Sequence, residues 1–267
     1  MIRSKWFWLA FILIGAILLG IHPAHRGVVI LHYHSVNYAQ GRESLIAVTP
    51  EDFAWHLAYL EKAGYNVVTL AQAVAYLEGG KKLPPKAVAI TFDDGYQDNY
   101  TLALPLLKKR GFPATVFMVT GEIGGVNSWD IPKGYPSLNL LDWEEIALLE
   151  ERGVSVMPHS VHHLNLTKLP QAEAVGELFE SKAVLEERLG GERPYFAYPY
   201  GSLNQKVVDT VQTAGYKAAF TSSPGTNVFG KTDIYRIRRM PVKEEHQGFW
   251  GHLIFALALK LNSLYPV

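Results

Sequence analysis

The 267-residue chain contains no cysteine, which excludes disulfides and thiolate metal sites and leaves His, Asp and Glu to hold any metal. It also lacks net charge: 25 Lys plus Arg balance 25 Asp plus Glu. No strong field therefore draws it to nucleic acid or to an acidic membrane surface, and a neutral or small partner is expected. The length suffices to bury one large core and sits at the upper end for a single domain, so one catalytic domain is the first expectation.

The N-terminal stretch "MIRSKWFWLAFILIGAILLGIHPAHRG" places Arg3 and Lys5 ahead of an unbroken apolar run from Trp6 to Ile21. That run is long for a signal-peptide core, which needs about 7 to 15 apolar residues, and slightly short of the roughly 20 of a transmembrane helix. The best cleavage site, His22-Pro23-Ala24, puts a bulky His where a small residue belongs. An uncleaved signal anchor over residues 1–26 is expected, its basic flank in the cytoplasm and the remaining chain outside the cell membrane; if the segment is cleaved, the protein is secreted.

Beyond it, "GVVILHYHSV" reads as a short buried strand. "TPEDFAWHLAYLEKAGYNVVTL" gives Thr49 as N-cap, Phe53, Leu57 and Leu60 at helical spacing, Gly64 as C-cap and a strand at 66–70. The unit of helix, Gly and strand recurs, with Gly111, Gly153 and Gly215 at the turns and a strand from Ala114 to Val119. Such alternation predicts an α/β fold with a mainly parallel sheet, either open and doubly wound or closed as a barrel. In these folds reactive groups lie beyond the C-terminal ends of strands. Three strand ends carry them: "AVAITFDDG", "GVSVMPHSVHH" and "YFAYPYG".

Asp93 and Asp94 fall in a turn closed by Gly95. Adjacent carboxylates repel, so away from water they require a cation or one of them takes a proton. "VMPHSVHHLNL" supplies imidazoles, and one Asp with two His makes a three-ligand site open to water, suited to zinc or a similar divalent ion. If the chain turns helical after His159, both His162 and His163 come within reach on neighbouring positions. Spacing permits either pair.

These residues resemble the polysaccharide deacetylases of the NodB-homology type, carbohydrate esterase family 4. "TFDDG" is similar to the first motif, "HSVHH" to the H-S/T-x-x-H second motif, with "LNLTKL" following, and "YFAYPYG" to the third. "HYHSV" and "VTPEDFAWHLAYLEKAGYNVVTL" resemble the lead-in of the branch acting on poly-N-acetylglucosamine. The resemblance implies a distorted (β/α) barrel over residues 27–243 and metal-dependent removal of N-acetyl groups from an N-acetylglucosamine-containing polysaccharide. It makes Asp93 the base and Asp94, His159 and His163 the ligands of a divalent metal, Zn²⁺ first, with His162 on a variable position. The third motif then supplies the Tyr200 backbone N–H to the oxyanion, with Pro199 beside the substrate.

Two departures stand out. Ala197 occupies the place of an Arg that usually orients the base, so Arg239 in "DIYRIRRMPV" is the expected substitute, with Arg238 as fallback. The late L-x-H motif that commonly supplies the general acid is not evident. His246 and His252 fall in a C-terminal amphipathic helix (244–267) expected to pack on the barrel or lie at the membrane surface, which leaves a protonated Asp93, or His34 at the end of the first strand, as the acid. Trp129 and Asp130, in the loop "GGVNSWD", are candidates to hold a sugar. A monomer is expected. Two alternatives remain: a glycosidase using Asp93 and a partner carboxylate, which leaves the histidines idle, and an inactive glycan-binding or envelope-assembly protein on the same fold.

Overall fold

A computed structural model describes residues 27–38, 46–79 and 81–264; the expected anchor over 1–26 lies outside them. None of the described helices is long and apolar enough to cross a membrane.

The apolar run after Gly27 forms β1 (Val29–Tyr33), buried at every position, as the strands of a parallel sheet covered on both faces are. β1 pairs in parallel along its whole length with β5 (Ala87–Phe92), Val29 opposite Val88 and Tyr33 opposite Phe92. On its other edge it pairs with β10 (Met240–Pro241). The far edge of β5 is shared, its first residues with β4 (Asn66–Val67) and its last with β6 (Ala114–Met118). β7 (Val154–Pro158) pairs with β6, Met118 opposite Pro158. These registers bring Tyr33, Phe92 and Pro158 to the same end of the sheet, so His34, Asp93, Asp94 and His159 all leave it there. A separate small pair joins β2 (Ser35–Val36) to β3 (Ala47–Val48).

The hydrogen-bonded ladders do not close into the expected barrel. β8 (Tyr195–Ala197) and β9 (Ala218–Phe220) form their own parallel pair. Where a β7–β8 ladder would run, side chains fill the gap: Arg193 Nη1 donates to the Val156 carbonyl at 3.0 Å and His159 Nδ1 to the Ala197 carbonyl at 2.8 Å. The Ala197 carbonyl thus satisfies a metal-ligand candidate's backside nitrogen.

Helices cover the sheet. In α1 (Pro50–Lys62), Thr49 caps Asp52 N–H, Pro50 sits in the first turn, and Phe53, Leu57 and Leu60 are buried. Truncating a fully buried leucine such as Leu57 to alanine costs about 2–5 kcal/mol. The strand expected over 66–70 stops at Val67, because Thr69 and Gln72 form a reciprocal capping box that starts α2 (Leu70–Leu77). A π-helical turn (Asn99–Ala103) leads into α3 (Leu104–Lys108). α4 (Trp143–Glu151), α5 (Gln171–Leu189) and α6 (Gln205–Thr213) follow, and α7 (Gly248–Leu264) ends the described chain.

Candidate metal and active site

Asp93 and Asp94 leave β5 in a sharp turn. Asp94 has φ of 73° and Gly95 of 79°, and a Cβ on Gly95 would meet Met118 Sδ at 2.0 Å, so any other residue there takes a left-handed backbone and pushes the Met118 side chain aside. After β7 the chain runs into a loop and does not turn helical. Ser160 and His163 both take positive φ, 67° and 55°, and the loop folds so that His163 N–H donates to Ser160 Oγ at 3.0 Å. Among the described residues, four of the five non-glycine positions at positive φ, Asp94, Ser160, His163 and Tyr200, lie in these motif loops; backbone in such regions costs of order 1–3 kcal/mol per residue and persists where its surroundings hold it.

That loop separates the two pairs which spacing left open. His162 turns outward, its Nδ1 2.7 Å from Glu177 Oε1, while Glu177 Oε2 accepts from Val161 and His162 N–H at 2.9 Å each. His163 turns inward, its ring between Trp129 and Tyr200 at centroid distances of 4.7 and 4.6 Å. Its Nε2 lies 3.2 Å from Asp94 Oδ1, and His159 Nε2 lies 3.5 Å from the same oxygen. The three ligand atoms fall within 4.8 Å of one another, all buried.

This donor set fits a divalent cation. Asp94 Oδ1 is buried with no hydrogen-bond partner, and two imidazole nitrogens converge on it. Burial, then the charge of Asp93, pushes the Asp94 carboxyl well above its usual range, while burial lowers His159 to about 4 and His163 well below its ordinary value. The His159 tautomer is fixed, because a carbonyl can only accept: Nδ1 carries the proton, leaving the Nε2 lone pair facing Asp94. One oxygen and two nitrogens suit zinc and several other divalent ions, so the donors do not choose among them.

Asp93 is held differently. Arg239, fully buried, donates Nη1 and Nη2 to its two oxygens at 2.6 Å each, Nε to the Thr221 carbonyl at 2.8 Å, and Nη1 also to Thr91 Oγ1 at 3.3 Å. Burial works to raise the Asp93 pKa, but the charge of Arg239, with His32 and His159, outweighs it and holds the carboxyl well below the usual range. Arg238 points elsewhere, its stem against Gly225, lining a second cleft with Arg236. The guanidinium on Asp93 therefore comes from β10's approach, and Ala197, fully buried, gives its carbonyl to His159 instead.

His32 was not among the residues anticipated. Its Nε2 lies 2.8 Å from Asp93 Oδ2 and its ring 4.5 Å from that of His34. The signal was present in "LHYH": residues two apart on a strand share a face. His34 lines the cleft, held through its carbonyl by Asn99 Nδ2 at 2.8 Å; burial, then His32, keeps its pKa well below the ordinary value.

The cleft, about 380 Å³, is lined by His34, Asp93, Asp94, His159, His163 and Tyr200 and, farther out, Asp130, Lys133 and Tyr135. Lys133 Nζ bridges Asp130 Oδ1 at 3.0 Å and Tyr200 Oη at 2.9 Å. Trp129 stands behind His163 against the core instead of lining the cleft, and Pro199 is buried in its turn. In that turn Gly201 and Ser202 N–H bond back to Tyr198 and Pro199, while Tyr200 takes φ of 59° and its N–H is left out of these bonds. His246 and His252 sit away from the site. The His246 carbonyl faces His56 Nε2 at 3.1 Å, and His252 Nε2 lies 2.7 Å from Asp52 and stacks on Trp55.

The profile of the family described as polysaccharide deacetylase matches residues 80–219, which contain both motif loops and the third-motif turn. The chain belongs to the polysaccharide deacetylase family. Among its relatives, YxkH of Bacillus subtilis, itself assigned to the polysaccharide deacetylases, is 30% identical over 79% of this chain and 71% of its own. The poly-β-1,6-N-acetyl-D-glucosamine N-deacetylase of Staphylococcus epidermidis is 29% identical over 74% and 69%. The structure of IcaB from Ammonifex degensii is 28% identical and superposes with a TM-score of 0.75 over 89% of this chain and 98% of that one. Membership makes this chain a polysaccharide deacetylase, a hydrolase of amide C–N bonds.

Proposed function

We propose that this deacetylase removes N-acetyl groups from an N-acetylglucosamine-containing polysaccharide outside the cytoplasm, as a monomer held to the cell membrane by residues 1–26, with a divalent metal bound by Asp94, His159 and His163. The observation that carries the reading is the pairing of a three-donor cluster around a partnerless buried carboxylate oxygen with a second carboxylate, Asp93, clamped as an anion one residue away. The named N-acetylglucosamine deacetylase among the relatives supports the substrate class.

An ion held by Asp94, His159 and His163 would supply Lewis-acid chemistry, polarising an acetamide carbonyl and lowering the pKa of a water. Asp93 accepts the proton of the attacking water. Its Oδ1 keeps a second lone pair beyond the bond to Arg239, whereas Oδ2 also faces His32 Nε2, and its depressed pKa keeps it ionised and ready at neutral pH. The N–H of Tyr200 meets the developing oxyanion. As the C–N bond breaks, the proton Asp93 took from water passes to the departing amine, either directly or relayed through His34, which is neutral at rest and hands on a proton readily once it has received one. Acetate and a glucosamine unit result. Asp130 and Lys133 at the rim bind sugar hydroxyls, whereas Trp129 acts through His163.

Arg239 removes the main argument for an inactive protein, since the cation missing at position 197 reaches the base by another route. N-acetylglucosamine oligomers test the proposal: the expected result is acetate release without new reducing ends. Reducing ends without acetate would establish the glycosidase, and neither product across poly-N-acetylglucosamine, chitin and peptidoglycan fragments would establish a binding protein.

A further inference from the structure

The outer face of α7 leaves a run of large apolar side chains uncovered. Among the described residues, half of the large hydrophobic side chains that stand exposed belong to this one helix: Phe249 at 78% and Trp250 at 73%, with Leu253, Ile254, Leu257 and Leu261. Phe249, Leu253, Leu257 and Leu261 recur every four residues and so form one stripe, with Trp250 and Ile254 alongside. Single exposed leucines need no explanation, but a contiguous patch of this kind marks an interaction surface.

The helix cannot roll to bury that stripe. Its inner face, Gly251, Phe255 and Leu259, is buried, Phe255 stacks on His56 of α1 at 4.1 Å, and His252 is both stacked on Trp55 at 3.9 Å and 2.7 Å from Asp52. Gly248 N–H donates to the same Asp52 oxygen at 2.9 Å. A Cβ on Gly251 would lie 2.3 Å from the His246 carbonyl carbon, so the helix backbone sits directly on the preceding turn.

We propose that this face lies on the lipid bilayer and holds the domain against the membrane surface. The proposal rests on the reading of Trp6–Ile21 as a membrane span, and chain length then sets the geometry. Only residues 22–26 separate that run from Gly27, a reach of about 20 Å even when fully extended. α7 packs into the same core cluster as β1, which begins two residues later. A domain tethered so closely keeps the α7 stripe near the headgroups, where Trp and Phe at one end of a leucine-rich face are favoured. Lys260 is the one Lys, Arg, Asp or Glu from Gly248 to Leu264, so the contact is driven by apolar burial and requires neither anionic lipid nor low salt.

The absence of cysteine permits a direct test on the full chain. Leu253→Cys, and separately Lys206→Cys on α6, are labelled with an environment-sensitive fluorophore and reconstituted into phosphatidylcholine vesicles. Neither position touches the cleft, so retained acetate release certifies the fold. The expected result is a blue-shifted Leu253→Cys label, quenched several-fold by spin-labelled phosphatidylcholine, with the Lys206→Cys label in water and unquenched. A water-exposed label at 253 overturns the proposal. So does one shielded yet unquenched by lipid, which would mean that a second copy or residues 6–21 cover the face. An alkaline carbonate wash separates the two readings: protein stripped from the vesicles refutes the span and this proposal with it, whereas protein retained with an unquenched label refutes this proposal alone.

Discussion

Replacing Arg239 by methionine, which keeps the stem and deletes the cation, probes the base most sharply. Arg239 is fully buried and places both terminal nitrogens on Asp93 at 2.6 Å. Breaking a buried pair by removing one partner costs about 3–5 kcal/mol, because the other charge stays behind. Here that cost is limited: burial alone pushes the Asp93 carboxyl upward, so in the variant it can take a proton instead of remaining a stranded anion. A protonated Asp93 accepts nothing from water, and loss of a general base lowers rates by about 10²–10⁴-fold. In the native protein the depressed pKa keeps the pair's stabilisation present at neutral pH, to be lost as pH falls through the folded value below the usual carboxylate range. In Arg239→Met that pKa rises, so the acidic limb of the acetate-release profile moves to higher pH and raising the pH restores part of the rate. Arg239→Lys keeps the charge without the fork and falls between the two. A folded Arg239→Met protein with the native acidic limb would refute the assignment of Asp93 as the base that Arg239 holds ionised.

Three further outcomes are expected. His163→Ala loses bound metal and His162→Ala retains it, measured by metal content of the purified proteins, because the His162 side chain is 59% exposed and turned to Glu177; equal losses would contradict the outward placement of His162. His56 is buried with its pKa lowered to about 3, chiefly by burial. A folded value below the unfolded one of about 6.5 means that stability present above pH 6.5 drains away as pH falls, by about 2 kcal/mol between pH 7 and pH 5 from this residue alone, and thermal melts of His56→Phe should show a shallower fall over that window. Gly95→Ala lowers stability by at least about 1–2 kcal/mol through its positive φ alone, with activity suffering further as the Asp93–Asp94 turn shifts against Met118; a variant of native stability would show that the turn is not held as described.

The alternation of helix, glycine and strand was enough to read a parallel α/β sheet and to place TFDDG and the His loop at strand ends, since burial on both faces leaves an unmistakable apolar run such as Ala87–Phe92. Tertiary detail escaped. Nothing local in H-S-V-H-H says which histidine faces inward, because the choice is made by Glu177, fourteen residues past His163, which grips the loop's backbone. Where β7 and β8 do not pair, Arg193 and His159 bond to strand carbonyls across the gap, a long-range arrangement no local pattern encodes. The α2 helix was missed although Thr69 and Gln72 spell a capping box, because the preceding "NVV" reads so strongly as strand. Arg239 was reachable only as a substitute for the Arg absent at 197, and His32 only by following strand alternation one step back from His34.

In the proposed mechanism Asp94, His159 and His163 hold the ion that N-deacetylation requires while Asp93 takes the proton. Acetate release from N-acetylglucosamine oligomers by the chelator-treated protein, before and after stepwise return of Zn²⁺, measures it directly. The expected result is no release without metal, recovery at one equivalent per chain, and no recovery in Asp94→Ala at that stoichiometry. Undiminished release from metal-free protein, or full recovery in Asp94→Ala, would contradict it.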